Sequence, residues 1–183
     1  MIGSTDNGNA SWANYDKSVF IVKLDSLGNV VWERTYGGIA AYNSDEGFDI
    51  KQTADGNYIA VGHTDTYDIH GASDLWVLRL DGAGNIIWQK MYGGSANDCA
   101  QSVQLTSDGG FILAGYTASA NGDVIGAHGS YDFWVLKLDS IGNLIWQKTL
   151  GGTDNEMATS IQQTADGYIV AGHTRSNNNG DVF

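Results

Sequence analysis

The sequence contains no proline and a single cysteine, Cys99, among its 183 residues. One cysteine excludes an intramolecular disulfide and a cysteine-built zinc cluster within one chain, so we expect Cys99 to be a small core residue. Basic residues are also few, with 9 Lys and Arg against 21 Asp and Glu, which gives a net charge of −12. Because this field repels phosphate backbones and anionic lipid surfaces, nucleic acid is not an expected partner.

Long apolar runs are missing as well. No run approaches the ~20 residues that cross a bilayer, so membrane insertion is not expected. Residues Met1 to Asn9 lack the basic and apolar regions of a signal peptide, so an exported protein would carry its signal outside this sequence. Helical periodicity is scarce. With 25 glycines and 42% hydrophobic residues, the chain is typical of a globular protein built from short strands and turns.

One sequence unit occurs three times. Its copies read LDSLGNVVWERTYGG at 24–38, LDGAGNIIWQKMYGG at 80–94 and LDSIGNLIWQKTLGG at 138–152. The tryptophans of these copies, Trp32, Trp88 and Trp146, lie 56 and 58 residues apart. Each unit is too small to bury a core of its own, so the pattern predicts an array of stacked repeats.

Each repeat is predicted to form four antiparallel strands, A to D. Two β-rich runs joined by Asp-Gly, the strongest short hairpin signal, predict strands A and B at 48–64, 102–117 and 160–174. After a loop, two further runs joined by Gly-Asn predict strands C and D. Strand C is apolar on both faces, as Leu75 to Leu78 show, which is typical of a strand in a sheet that is covered on both sides.

These features predict an all-β fold, a β-propeller with three four-stranded blade equivalents whose ring is incomplete in one chain. A β-sandwich of independent domains is the competing interpretation, but about 58 residues per unit is small for one. The expected single propeller segment covers 1–183. It divides into strands C and D with the end of a preceding strand B at 1–38, full blades at 39–94 and 95–152, and strands A and B of a further blade at 153–183.

The repeated D-x-x-G-x-x-x-W segment resembles the tryptophan-docking motif of quinoprotein-type propellers. The whole unit, ending in W-x-[KR]-x-x-G-G and followed by T-x-D-G-x-x-I-x-x-G-x-T, resembles the repeats of secreted or surface-anchored propeller proteins of bacteria and archaea. The last copy departs from it, being one residue shorter between Gly167 and Ile169. The resemblance implies an extracellular or cell-surface location and a structural role for Trp32, Trp88 and Trp146 in locking adjacent blades, and it carries no single activity.

Three blade equivalents are too few for a closed ring, which usually needs about four to eight. The apolar faces at both ends of the stack therefore require a cover. Either copies associate head to tail, as a six-bladed dimer or a nine-bladed trimer, or the remainder of a longer chain completes the ring. The match of Ile2 to Thr5 with Ala171 to Thr174 favours the longer chain, as does the match of Asn179 to Val182 with Asn121 to Val124.

Function is expected on the long B–C and D–A connections, which should emerge together at the mouth of a central channel. The candidate ligand-binding residues in the B–C loops are Trp12, Asp65, Asp68, His70, Asp123 and His128, and those at one repeated D–A position are Asp45, Asp98 and Glu156. Oxygen-rich loops of this kind suit calcium, although no EF-hand order is present and the metal signal is weak. The alternative is that these side chains stabilise loops by hydrogen bonds to the backbone.

No catalytic motif is present: the sequence lacks a G-x-S-x-G elbow, an H-E-x-x-H zinc pair and a G-x-x-x-x-G-K phosphate loop. The sequence therefore predicts a non-enzymatic binding or scaffold module of an exported microbial repeat protein, with a glycan or protein ligand. Trp12, Tyr67 and Tyr131 are the loop aromatics that would stack on sugars, or else fold back onto the sheet. The enzyme alternative is a hydrolase or lyase that uses channel-mouth acids and histidines.

Overall fold

The computed structural model describes residues 2–6, 17–38, 44–65, 72–177 and 179–181. Within these ranges the chain forms β-strands and no helix, so no helix that could span a membrane occurs there. The strands form antiparallel sheets in which spatial order follows chain order. The predicted all-β class is therefore confirmed.

The strands group into four sheets along the chain. The N-terminal sheet contains β1 (Ile2–Asp6), β2 (Lys17–Leu24) and β3 (Val30–Tyr36). The second sheet contains β4 (Glu46–Gln52), β5 (Tyr58–Thr64), β6 (Asp74–Leu80) and β7 (Ile86–Tyr92). The third sheet contains β8 (Asp98–Leu105), β9 (Phe111–Thr117), β10 (Asp132–Leu138) and β11 (Leu144–Leu150). The C-terminal sheet contains β12 (Glu156–Gln163) and β13 (Tyr168–Thr174).

Tight turns join the strands within each sheet where the sequence predicts hairpins. In the turn between β6 and β7, the Asp81 carboxylate accepts hydrogen bonds from the backbone N–H groups of Ala83 and Asn85, both at 2.8 Å. Gly84 in this turn has φ +82°, a left-handed conformation that glycine adopts without strain. The same Asp and Gly recur in the other strand C to strand D turns, so local chemistry sets these hairpins.

The hydrophobic core lies between successive sheets. All seven residues of β6 are buried, and its five apolar residues divide between two clusters. Trp76 and Leu78 pack towards the N-terminal sheet, whereas Leu75 and Val77 pack towards the third sheet. A third cluster joins the third and C-terminal sheets, with Ile112 and residues of β12 in it. Strand C of the second sheet is thus covered on both faces, as the sequence predicts.

One junction geometry recurs between neighbouring sheets. A parallel bridge links a residue at or just before the start of strand C in one sheet with a residue one or two positions before strand A in the next. The pairs are Lys17 with Ser44, Ser73 with Asn97, and Tyr131 with Asn155. The following residue donates its backbone N–H back across the junction, as Asp98 does to the Ser73 carbonyl at 2.8 Å. The B–C and D–A connections therefore lie side by side at one edge of the stack, which we call the loop edge.

Candidate functional site at the loop edge

Asp98, one of the repeated D–A acids, is fully buried and bonded within the fold. Its Oδ1 accepts a hydrogen bond from the Thr117 hydroxyl at the end of β9. Its Oδ2 accepts from the backbone N–H of Gly94 and from the Ser119 hydroxyl, both at 2.8 Å. This carboxylate therefore ties the connection after β7, the start of β8 and the loop after β9 to one another.

Asp45 and Glu156 repeat this arrangement. Asp45 accepts hydrogen bonds from the threonine that ends β5 and from the backbone N–H of Gly38, the latter at 3.1 Å. Glu156 accepts from the Thr174 hydroxyl and from the backbone N–H of Gly152, both at 2.7 Å. Both acids are buried. The structure thus places all three predicted D–A acids beneath the loop edge, as links between strands.

Burial and hydrogen bonding act in opposite directions on the pKa of these acids. At Asp98, burial is the stronger influence and raises the pKa. At Glu156, burial also raises the pKa, but hydrogen bonds from Gly152, Thr174 and Ser176 together outweigh it and lower the pKa to about 2. The two differ because the third sheet packs between two neighbours, whereas the described part of the C-terminal sheet packs against one.

A second carboxylate lies beside two of the D–A acids. A Cβ atom on Gly151 would collide with Asp132 Oδ1 and lie 2.8 Å from Glu156 Oε2, so both carboxylates converge on this glycine. In the preceding repeat, the carboxylates of Asp74 and Asp98 converge on Gly93 in the same way. These contacts require glycine at the first position of each Gly-Gly pair.

Asp132 is fully buried, and its Oδ1 has no hydrogen-bond partner among the residues that the structure describes. Its Oδ2 accepts the backbone N–H of His128 at 2.6 Å. Two buried carboxylates of this kind repel each other when both are charged. No group of three or more His, Cys, Asp or Glu side chains suited to a metal ion occurs in the part of the chain that the structure describes.

The remaining loop candidates are dispersed along the loop edge. Asp123 accepts a hydrogen bond from the backbone N–H of Gly93 at 3.2 Å, and Asp65 accepts one from that of Ser44 at 2.5 Å. The His128 side chain is exposed. Trp12, Asp68 and His70 lie outside the described residues, as does Tyr67.

The long B–C loop at 118–131 is anchored to the D–A connection at 93–97. Ser95 donates its backbone N–H to the Asn121 side chain at 2.8 Å, and Ala96 donates to the Ser119 hydroxyl at 2.9 Å. The same two bonds recur one repeat later, from Thr153 to Asn179 and from Asp154 to Ser176. Because both of these described segments are held by the connection beside them, this part of the loop edge is a preorganised surface.

Tyr131, one of the loop aromatics, packs against the end of β9. Its ring meets that of Tyr116 edge to face, with the centroids 5.3 Å apart, and the side chain is half-buried. The exposed side chains of this loop are those of Ala120, Asn121, Ile125, His128 and Ser130, and Ile125 is 73% exposed. Among them, Ile125 is the large apolar group and His128 the aromatic group that the described loop offers to a ligand.

Buried basic residues on strand C are a feature that sequence reasoning missed. Arg79 donates to Asp55 Oδ2 at 2.8 Å and to the Thr53 hydroxyl at 2.7 Å. These contacts lie at the edge of the stack that carries the A–B and C–D turns, opposite the loop edge, which we call the turn edge. Lys137 pairs with Asp108 Oδ2 at 2.8 Å in the third sheet. The sequence did contain an indication of these ion pairs, because a basic residue recurs in an otherwise apolar strand and needs a partner when it is buried.

Two clefts also lie at the turn edge. One, of about 500 Å³, separates the N-terminal and second sheets and is lined by Leu24, Trp32 and Tyr58 among others. The other, of about 390 Å³, separates the second and third sheets beside Arg79 and Phe111. None of the predicted ligand residues that the structure describes lines either cleft, so these openings are separate from the described part of the loop edge.

A scan of the sequence against protein-family models gives no match. Among characterised proteins, the chain is similar to the regulatory protein FlaEY of Caulobacter vibrioides, with 28% identity over 125 residues. The aligned region covers 62% of this chain and 13% of the relative, so the chain spans a small part of that protein's length.

Proposed function

We propose that the chain is a segment of a β-propeller that acts as a non-enzymatic binding or scaffold module of an exported microbial protein. The recurring junction supports the propeller, because face-to-face four-stranded meanders related by one repeated contact are the building plan of propeller blades. The ligand would bind at the loop edge, where the anchored B–C and D–A connections lie together.

The bonding of the repeated acids is the observation that carries a non-enzymatic role. A general acid or base must reach the substrate, whereas Asp98 and Glu156 are buried and both of their carboxylate oxygens accept hydrogen bonds from the fold. What remains for a partner is a fixed surface with exposed Ile125 and His128. The partial similarity to a protein described as regulatory is compatible with this role.

The net charge narrows the ligand class. At −12 the chain disfavours anionic ligands, which leaves neutral glycans and neutral or basic protein segments. A neutral glycan would suit a surface that combines an apolar side chain, an imidazole and many loop amides. Calcium is a secondary proposal, since the carboxylates of Asp45, Asp65, Asp98, Asp123 and Glu156 already accept hydrogen bonds from the fold.

The test is binding and turnover measured together. A glycan array and a set of neutral and basic peptides, each probed with and without calcium, should give binding without turnover. Binding should fall in the double variant Ile125→Ser with His128→Ala, and should persist in the matched control Ile145→Ser, a similarly exposed residue of an outer strand.

Turnover would contradict the proposal. The decisive case is turnover that Asp98→Asn abolishes while its unfolding curve stays that of the unmodified chain, because Asp98 would then act on substrate. Binding that Ile145→Ser removes and the loop variant keeps would move the site away from the loop edge.

A further inference from the structure

The repeated tryptophan docks on a glycine of the next sheet. A Cβ atom on Gly84 would lie 3.0 Å from the Trp32 ring, and one on Gly142 would lie 2.9 Å from the Trp88 ring. Each contact joins strand D of one sheet to the turn between strands C and D of the next. Both halves of the contact are thus specified by the repeat.

At each end of the stack, one partner of this tryptophan–glycine contact is present without the other. Trp146, on β11, is 38% exposed. Gly28, in the turn between β2 and β3, has no described heavy atom within 4 Å of its Cβ position. Among the described residues, Trp146 therefore has no docking glycine and Gly28 has no docked tryptophan.

Apolar side chains repeat this complementarity. Ile169 on β13 is 61% exposed, whereas its counterparts Ile59 and Ile112 are fully buried. Leu24 on β2 is 42% exposed, whereas its counterpart Leu80 is fully buried. In the complete sheets, Ile59 and Ile112 pack against the sheet that follows and Leu80 against the sheet that precedes. One association that adds β2 and β3 to the C-terminal sheet would cover all of these groups.

We propose that a second copy of the chain supplies this cover: its β2–β3 hairpin pairs with β13, and its Gly28 receives Trp146. The pairing follows the register that β5–β6 and β9–β10 share, in which Tyr58 lies opposite Leu80 and Phe111 opposite Leu138. Tyr168 would then lie opposite Leu24 of the second copy. The inference depends on the stacked-sheet geometry and not on a loop ligand.

The exchange displaces β1 from β2. In the described structure β1 pairs with β2 over five residues, from Ile2 opposite Ile21 to Asp6 opposite Lys17. β13 has seven residues, and its segment Ala171–Thr174 has the Gly and Thr spacing of Ile2–Thr5. The longer strand therefore offers the same pairing extended by further residues. Two exchanged copies of this sequence give six sheets, within the range of closed propellers, so we expect a closed dimer. The other occupant, the next repeat of a longer chain, would leave this sequence monomeric in the experiment below.

The first experiment measures mass in solution by light scattering across a dilution series. The unmodified chain should have the mass of two 19.6 kDa copies. Ile169→Lys should raise the dissociation constant about tenfold or more, because it places a charge in the interface. The matched control Ile87→Lys, which alters a similarly exposed residue of outer strand β7, should stay dimeric. A monomer, or a dimer that Ile169→Lys leaves intact, overturns the proposal.

The second experiment tests strand exchange directly. Leu24→Cys and Tyr168→Cys, combined in a Cys99→Ser background, should give an intermolecular disulfide on mild oxidation. Each single cysteine variant should give none. A dimer that forms without this cross-link would mean that the copies meet by another surface, which also overturns the proposal. Neither result bears on binding at the loop edge, so this inference and the proposed function fail separately.

Discussion

The indole N–H of Trp32 donates a hydrogen bond to the carbonyl oxygen of Gly82, 3.0 Å away in the second sheet. The same ring meets Tyr58 edge to face at 5.9 Å, and Trp88 meets Phe111 in the corresponding way at 6.4 Å. A single side chain thus joins strand D of one sheet to both hairpins of the next. This contact explains why the tryptophan recurs with the repeat.

We expect the buried cation of strand C to depend on its turn carboxylate. Lys137 is 3% exposed and is held by Asp108, whose pKa is lowered first by the hydrogen bond from that lysine. Asp108→Ala should lower the free energy of unfolding by about 1.5 to 3 kcal/mol, because a buried ammonium loses a charged partner. Chemical denaturation provides the measurement.

Asp166→Ala is the matched control. Asp166 occupies the same turn position and accepts the same threonine hydrogen bond, from Thr164 at 2.9 Å, but no basic partner is among its described contacts. Asp166→Ala should therefore lower the free energy of unfolding clearly less than Asp108→Ala does. Equal losses at the two positions would show that the turn, and not the buried lysine, sets the effect.

We expect Asp132→Asn to stabilise the protein at neutral pH. The substitution keeps an oxygen for the His128 N–H and replaces Oδ1, which has no described partner, by an NH₂ group beside Gly151, where the Glu156 carboxylate also converges. Removing the like charge should raise the free energy of unfolding by about 1 kcal/mol or more. If Asp132→Asn instead lowers the free energy of unfolding at pH 7, the prediction is wrong and the charge of Asp132 stabilises the fold.

Acid should weaken the link made by Glu156. Its pKa is about 2 in the folded protein against an ordinary value of 4.5, so its charged form stabilises the fold above pH 4.5 and this contribution disappears as the pH falls through about 2. Glu156→Gln should therefore be less stable than the unmodified chain at pH 7. The difference should close between pH 4.5 and 2 in denaturation curves. A difference that does not change with pH would contradict the assigned pKa.

Cys99 should resist modification in the folded protein. The side chain is 1% exposed, and burial raises the pKa of its thiol to about 12, so little reactive thiolate is present at pH 8. Ellman's reagent should react slowly in native buffer and rapidly in denaturant. Fast reaction in native buffer would mean that β8 opens readily.

Local signals made the hairpins and the buried strand C predictable. Asp-Gly and Gly-Asn specify turns by their own conformations, and Leu75 to Leu78 indicate burial on both faces whatever surrounds them. The role of Asp98 was not predictable in this way. A sequence shows an acid at a repeated position in a long connection, but whether it faces a ligand or meets Thr117 and Gly94 depends on how three segments converge.

The docking of the repeated tryptophan on the next sheet could be predicted only in part. The resemblance to the tryptophan-docking motif implied a structural role for Trp32 and its copies, whereas the docking glycine became visible only when the next turn was placed against the ring. The partners of Arg79 and Lys137 were likewise set by the approach of strand C to the A–B turn, which no single segment encodes.

The most direct test of this account compares Trp88→Ala with Trp146→Ala in urea denaturation at concentrations where the chain is monomeric. Both remove the same side chain from the same position in the repeat, but only Trp88 has a docking glycine in its own chain. We predict that Trp88→Ala lowers the free energy of unfolding by about 3 to 5 kcal/mol, and that Trp146→Ala lowers it by less than half as much. Equal losses, or a neutral Trp88→Ala, would contradict the claim that the repeated tryptophan locks successive sheets together.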